Sequence, residues 1–472
     1  MANDVLKFVD SIAASPTTRL DLNTTSSGWK ASVIDPGVPP TSLSVAQNAM
    51  RDGGWVSSSV RGMRTITLGL TMTSASQDTN ATAIQNLVRE LDREWNYLMF
   101  QPDGASKPVF FRTYRATPAT IQYVWAAVAH HAVEIQLQAD PWALGLLETV
   151  SVGSVSNNPT TGCYFDVAAA SCIGDVPAPL FIQNTTAWRT YGLIAKRHHG
   201  TPSDMVWVKQ AESCTLGANT TNPGGAADAL MSGSGTTNYV RTTFGTATMA
   251  SRVTWDLDAD ITTQAQRRAM RGTFRVLAAV RKSASTSTIT ARAVIYYGGG
   301  QYVTGNTITI KTPDRHIEDF GVFDFTPAPA SVHGVASTLA TDGWPLIQLQ
   351  AARNGGTDDL DWDAIMLAPA DESTLIWGVD EVEDTSFDML IDGHEEHIYI
   401  INGANPFAST AYASVERKIP NIAGTFPALV PNQINRFVVL MGDSQFTSPI
   451  ANTNNLTLYY YPRYLFIRPS AT

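Results

Sequence analysis

The chain has 472 residues and a formal net charge of −10, and only 16% of it is Asp, Glu, Lys or Arg. Ordinary soluble proteins carry roughly 25% charged residues, so this low value, beside 44% apolar content, excludes disorder, and the absence of A/E/K/L/R heptads excludes coiled coil. The acidic balance argues against a nucleic-acid-binding surface, which needs a basic patch to neutralise phosphates.

The length exceeds what one core serves, so several domains are expected. No apolar run approaches the ~20 residues of a membrane helix, so no membrane insertion is expected. Met1-Ala2-Asn3-Asp4 lacks the basic start and apolar core of a signal peptide, which predicts a protein made in a cytoplasm without a Sec-type address. Cys163, Cys172 and Cys214 show no CxxC spacing, and reduced thiols are expected.

Residues 1–145 read as strands with one helix. Strands are predicted at Thr18–Asn23, Trp29–Asp35, Arg64–Met72, Val109–Tyr114, Ile121–Val128 and Ala132–Ala139. In Arg64–Met72, apolar Ile66, Leu68, Leu70 and Met72 alternate with smaller or polar residues, the period of a half-buried strand. Between them, Ile84, Leu87, Val88, Leu91, Trp95, Leu98 and Met99 form one stripe, which predicts a helix over 81–99 capped by Asn80. Residues 146–178 are a Gly/Ser/Asn-rich connector. Residues 179–369 hold many short strands separated by turn signals such as Arg353-Asn354-Gly355-Gly356, as in a β-sandwich of jelly-roll type. Residues 370–472 form a last β segment. The fold class expected is mainly β, with several sandwiches.

Motifs for catalysis are weak. His394-Glu395-Glu396-His397 has i, i+3 spacing where a zinc helix needs i, i+4, and Asp392-Gly393 predicts a hairpin there. His130-His131 and His198-His199 are neighbours whose side chains diverge on a strand. The acidic pairs Glu381/Glu383, Asp358/Asp359 and Asp361/Asp363 match a glycosidase only if they converge in space; otherwise they are solvated acids. No catalytic residue is assigned, and the chain is not expected to be an enzyme.

Gln210-Ala211-Glu212 and Asp361-Trp362-Asp363-Ala364-Ile365-Met366-Leu367 bracket the middle block. Together they resemble calcium-stabilised jelly-roll carbohydrate-binding modules. The resemblance implies a structural Ca²⁺ held by Glu212 and Asp363, hard oxygen ligands of the kind that ion prefers. It also implies aromatic platforms for sugar faces, the candidates being Trp255, Tyr296, Tyr297, Tyr302 and Trp344.

The two ends of the chain carry a second resemblance. Arg64-Thr65-Ile66-Thr67-Leu68-Gly69-Leu70, Lys107-Pro108-Val109-Phe110-Phe111-Arg112 and Val133–Ala139 followed by Asp140-Pro141-Trp142 resemble, in that order, the N-terminal domain of distal tail proteins of long-tailed, non-contractile bacteriophages. Gly424-Thr425-Phe426-Pro427-Ala428-Leu429-Val430-Pro431-Asn432, Asn435-Arg436 and Tyr461-Pro462-Arg463-Tyr464-Leu465 resemble the closing segment of minor tail proteins of actinobacterial phages. There a Gly usually stands where Asn432 does, and both residue types tolerate positive φ. This implies a virion protein of the tail tip or baseplate, made in the cytoplasm of a bacterial host. Residues 1–145 would form a homo-oligomeric ring, commonly a hexamer, meeting tail tube protein, tape measure protein and baseplate hub. A galectin-like scaffold would follow, with an inserted jelly roll whose candidate ligand is host cell-wall carbohydrate. A free glycan-binding adhesin and a cell-wall hydrolase are the alternatives.

Overall fold

A computed structural model describes residues 4–47, 54–123, 130–156, 163–186, 189, 191–197, 207–222, 239–261, 266, 270–298, 301–325, 345–370, 372–378, 386–402, 415–442 and 453–467, apart from single positions within these ranges. The described chain is mostly β, in several antiparallel sheets.

The first sheet runs in the order Thr18–Asp21, Val5–Val9, Trp95–Gln101, Val109–Tyr114, His130–Ala139, Arg64–Thr73, Trp29–Asp35. The alternation in Arg64–Thr73 sets its register: Ile66 faces Leu137, Leu68 faces Ile135 and Leu70 faces Val133. All six side chains are buried on one side, where Leu87 and Leu91 of the helix join them.

That helix spans Gln77–Leu91, and its N-cap is Ser76, whose hydroxyl accepts from the Thr79 amide. It is therefore shorter than the apolar stripe predicts. Beyond Asp92 the chain enters the strand Trp95–Gln101, in which Asn96, Leu98 and Phe100 are buried in alternation. Trp95, Leu98 and Met99 match a helical period by coincidence. The aromatic-rich run pairs with Val5–Val9 and Val109–Tyr114, and tertiary pairing decides its state. Asn80, expected as the cap, lies buried, with its Nδ2 3.0 Å from His131 Nδ1. It ties the helix to the sheet.

The second body is a sandwich made from both sides of the middle block. One sheet orders Glu148–Ser156, Thr453–Tyr460, Phe181–Asn184, Asp388–Asp392, His397–Ile401, Val415–Lys418. The other orders Tyr164–Val167, Asn435–Gly442, Tyr191–Arg197, Ser373–Gly378, Ile422–Gly424. Ile182, Ile194, Trp377, Ile391, Val439 and Leu458 fill the space between them.

The strands Tyr191–Arg197 and Ser373–Gly378 are antiparallel partners, with Lys196 opposite Ser373. Everything between them is the loop of one hairpin. That loop carries a third body, also a two-sheet sandwich. Its strand Leu360–Pro369 pairs with Trp207–Gln210, Val240–Thr242 and Thr273–Lys282. The opposing sheet orders Thr215–Leu216, Ala250–Asp256, Leu346–Asn354, Thr288–Gly298, Gln301–Thr304.

Every residue of Leu360–Pro369 is buried. Leu360, Trp362, Ile365 and Leu367 face the sandwich core. Met366 and Ala368, with Leu277, pack outward against Leu193, Ala195, Val438 and Leu440 of the second body. One outer face of the third body is thus covered by its own chain.

Candidate functional site

The remaining outer face belongs to the sheet around Thr288–Gly298. Ala291, Ala293 and Ile295 point into the core, so Arg292, Val294 and Tyr296 point out. Register carries that direction to the neighbouring strands: Arg292 faces Gln350, Val294 faces Gln348 and Thr304, and Tyr296 faces Leu346 and Tyr302. The Tyr296 and Tyr302 rings lie 5.4 Å apart at 37°, and Tyr302 is 60% exposed. Arg292 Nε donates to Gln350 Oε1 at 2.9 Å, and Gln350 Nε2 donates to Gln348 Oε1 at 3.5 Å.

An aromatic pair thus stands at one end of the face, and a guanidinium–amide row at the other. An apolar ring face with nearby planar hydrogen-bonding groups can stack on a sugar and orient its hydroxyls.

The other candidate platforms fare differently. Trp255 is 1% exposed, a core residue whose Nε1 donates to Asp260 Oδ2 at 2.6 Å. It has no free face to stack on a sugar, which corrects the expectation for that residue. Val253, two residues earlier and also in the core, gives the sequence signal: the two share strand parity. Tyr297 packs against the same core, and its hydroxyl donates to the Asp324 carbonyl at 2.7 Å. Trp344 lies outside the described residues.

Glu212 and Asp363 lie on neighbouring stretches of the chain. Gln210 pairs with Ala364 at the end of Trp207–Gln210, and the one-turn 3₁₀ helix Ala211–Ser213 follows. On the other side of Leu360–Pro369, Ala278 pairs with Ile365 but Val280 pairs with Trp362. Asp363 and Ala364 therefore share a β-bulge, a device that re-aims side chains. Asp363 is 1% exposed. The buried Glu212 Oε2 has no hydrogen-bond partner, and burial raises the Glu212 pKa above the usual carboxylate value. The orphaned Glu212 oxygen is the observation here that suits a hard cation, which takes oxygen ligands; among the described residues no group of three or more His, Cys, Asp or Glu is placed to hold a metal.

Several of the other acids and histidines singled out in the sequence have structural partners. Asp361 is fully buried and accepts from both Arg241 (2.7 and 2.9 Å) and Arg281 (2.9 Å). Asp358 accepts from the Ser287 amide at 2.7 Å and from the Thr286 hydroxyl. His394-Glu395-Glu396-His397 occupies the expected hairpin turn, where the His394 and Glu395 amides donate to Asp392 Oδ1. His130 Nδ1 lies 2.8 Å from the Thr73 hydroxyl. His198, His199, Glu381 and Glu383 lie outside the described residues. Cys163, Cys172 and Cys214 are free thiols. Among the described residues no helix is long and apolar enough to cross a membrane.

One further site escaped the sequence patterns. Arg64, fully buried, lies with its guanidinium carbon 5.1 Å from the Phe111 ring centroid. Its Nε donates to the Pro141 carbonyl at 3.1 Å and its Nη2 to the Leu465 carbonyl at 2.8 Å, with a second bond to Pro141. Its Nη1 reaches the Gly37 carbonyl at 3.4 Å, and burial lowers its pKa to about 10. Next to it Ala143–Leu144 pairs with Arg463–Tyr464, so the end of the chain completes the first sheet.

No protein-family model matches the sequence. No curated protein matches it either. Among solved structures, the chain is similar to the Dit protein of SPP1, described as a paradigm of hub adsorption apparatus in Gram-positive infecting phages, with 9% identity, a TM-score of 0.35 and 98% of each chain covered. It is similar to the phage p2 baseplate in its activated conformation with Sr, at 9% identity and TM-score 0.24, over 76% of this chain and 97% of that one. It is also similar to the CBM22-1–GH10 modules of a Clostridium thermocellum xylanase, at 9% identity and TM-score 0.20, over 41% of this chain and 29% of that one.

Proposed function

We propose that the chain is a structural protein of a phage tail tip, with residues 1–145 as its ring-forming part and the sandwich between Arg197 and Ser373 as a peripheral glycan-binding module. One observation carries this. The segments whose sequences resemble tail proteins lie far apart in the chain but meet at Arg64, which joins the Asp140-Pro141-Trp142 turn to Tyr461-Pro462-Arg463-Tyr464-Leu465. Asn432 adds support: its φ is +59°, the backbone state that a Gly there also serves.

The ring is proposed as a homo-oligomer, commonly a hexamer, meeting tail tube protein, tape measure protein and baseplate hub. A closed ring requires two different patches that meet head to tail. A groove of about 380 Å³ on the outer face of the first sheet, lined by Ser32, Thr67, Gly69, Thr71, Thr120 and Glu134, is available for such a contact.

No catalytic step is assigned. Of the acidic pairs, Asp358 and Asp361 are buried and held by hydrogen bonds and ion pairs. The structural Ca²⁺ is proposed at Glu212 and Asp363, where it would neutralise two buried carboxylates and brace the bulge.

The test is the native mass of the full-length protein, with electron microscopy of virions labelled by antibody to this chain. A ring-shaped oligomer and label at the tail tip are expected. A strictly monomeric mass, or label elsewhere, would refute the scaffold role and leave the free adhesin.

A further inference from the structure

We infer that the open outer face of the inserted sandwich binds an acidic glycan, with a sugar ring on Tyr302 and Tyr296 and an anionic oxygen, carboxylate or phosphate, on Arg292. This deepens the glycan part of the proposed function and rests on it only for the outward position of the module.

Topology selects the face. The opposite outer face is filled by Leu193, Ala195, Val438 and Leu440. On the open side Tyr302 is among the most exposed large hydrophobic residues described, and its ring is paired with Tyr296 rather than packed in a core.

Charge selects the ligand class. Apart from the exposed Arg271, the other described arginines of this module have acids or carbonyls in reach. Arg241 and Arg281 hold Asp361, Arg275 holds Asp319, and Arg353 and Arg252 donate to backbone carbonyls. Arg292 donates only its Nε, to a neutral amide, and among the described residues it meets no carboxylate. Gln350 fixes the plane of the guanidinium and leaves its outer edge for a ligand. A planar fork held this way pairs bidentately with a carboxylate or phosphate.

Spacing selects an extended chain. Arg292 and Tyr296 are four residues apart on one strand and on one face, about 13 Å at strand rise. Between them Val294, 1% exposed, is covered by its neighbours, and Gln348 stands opposite it. The exposed Asp256 stands opposite Leu346 in the row that ends at Tyr296 and Tyr302. Arg292 stands at the end of the face away from the aromatic pair, which orients a bound chain with its anion toward Arg292.

Calorimetric titration of the full-length protein tests this. The probes are an oligouronate, its carboxyl-reduced neutral counterpart, and a phosphodiester-linked sugar polymer. At least one acidic probe is expected to bind at least tenfold more tightly than the neutral one, and less tightly as salt rises. Tyr302→Ala should weaken that binding at least tenfold. Arg292→Gln should remove the preference for the acidic probe, and Arg292→Lys should restore part of it. Both side chains lie on an outer face, and unchanged circular dichroism would show that the variants fold. Equal binding of acidic and neutral probes, binding indifferent to both substitutions, or no binding to any probe would each overturn the inference. A ring-shaped oligomer that binds no probe would sink this site and spare the scaffold. A monomer that binds through Arg292 would do the reverse.

Discussion

The guanidinium of Arg64 donates to the carbonyl oxygen of Leu465, 401 residues further along the chain, at 2.8 Å. The same side chain holds Pro141, so a turn of the first sheet and the end of the chain share one donor. Replacing it leaves buried carbonyls unpaired, at about 1–3 kcal/mol each. Arg64→Met is expected to cost about 3 kcal/mol, read as a lower urea midpoint for the first sheet. Arg64→Lys should recover little, because a point charge cannot span the carbonyls that the fork reaches.

Gly192 lies in the second body beside Trp377. A Cβ built there would sit 2.1 Å from the indole ring, which is buried and donates to the Arg189 carbonyl at 3.0 Å. The ring has no room to withdraw. Gly192→Ala is expected to destabilise by about 1–3 kcal/mol through overpacking. A melting temperature within 1 °C of the parent, for a whole-domain loss of about that size, would contradict the packing described.

Glu212 makes a pH-dependent prediction. Burial holds its folded-state pKa above the unfolded value. In the window above the ordinary carboxylate pKa the folded chain then binds more protons than the unfolded one, so stability falls as pH rises through it. A cation at Glu212 and Asp363 reverses this by favouring the anion. Calcium is expected to raise the melting temperature at pH 7 more than at pH 5, and Glu212→Gln to remove both the increment and the slope. Identical melting curves in calcium and in chelator at both pH values would exclude the ion.

Asp361 accepts from two guanidiniums, and Tyr239 lies against both of them. Removing the acid strands two cations beside a buried position, a change that costs about 3–5 kcal/mol in comparable pairs. Asp361→Ala should therefore destabilise the inserted sandwich far more than Arg241→Met, which leaves Arg281 in place. Denaturant titration of both variants gives the ranking.

The strands at Lys196 and Ser373 are direct partners, so a short turn can join them. Replacing 198–371 with a tight Gly-containing linker is expected to leave the first two bodies folded and able to form the same oligomer, with probe binding lost. Leu193 and Leu440 would become exposed, and polar substitution there should be needed for solubility. Loss of the oligomer on excision, with the secondary structure intact, would place the ring contact in the insert.

Much of this was legible in the residues. Ile66, Leu68, Leu70 and Met72 announce their strand by period, and Val133, Ile135 and Leu137 announce its partner. The hairpin at Asp392-Gly393 follows from turn chemistry. The helix boundary failed because Trp95, Leu98 and Met99 suit both periods, and only pairing with neighbouring strands separates them. Trp255 and Tyr302 are both aromatic residues in strands; only knowing which parity meets the core tells a platform from a filler. The Arg64 contacts carry no local pattern at all, since their partners come from distant turns and the far end of the chain. Arg292 looks like any strand arginine until register sets Gln350 beside it.

The loop between Lys196 and Ser373 also bears on the order in which the molecule assembles. As an unstructured tether of well over a hundred residues it would cost about 3 kcal/mol more to close than a five-residue turn, at about 0.6 kcal/mol per doubling. Yet Trp207–Gln210 pairs with the last strand of the insert, with Trp207 opposite Leu367, so a folded insert brings its own two ends together. Once it has collapsed, it acts on the flanking strands as a short tether would. The insert is then the natural first folding unit, and the sandwich around it closes late, after the ribosome has released the strands from 373 onward.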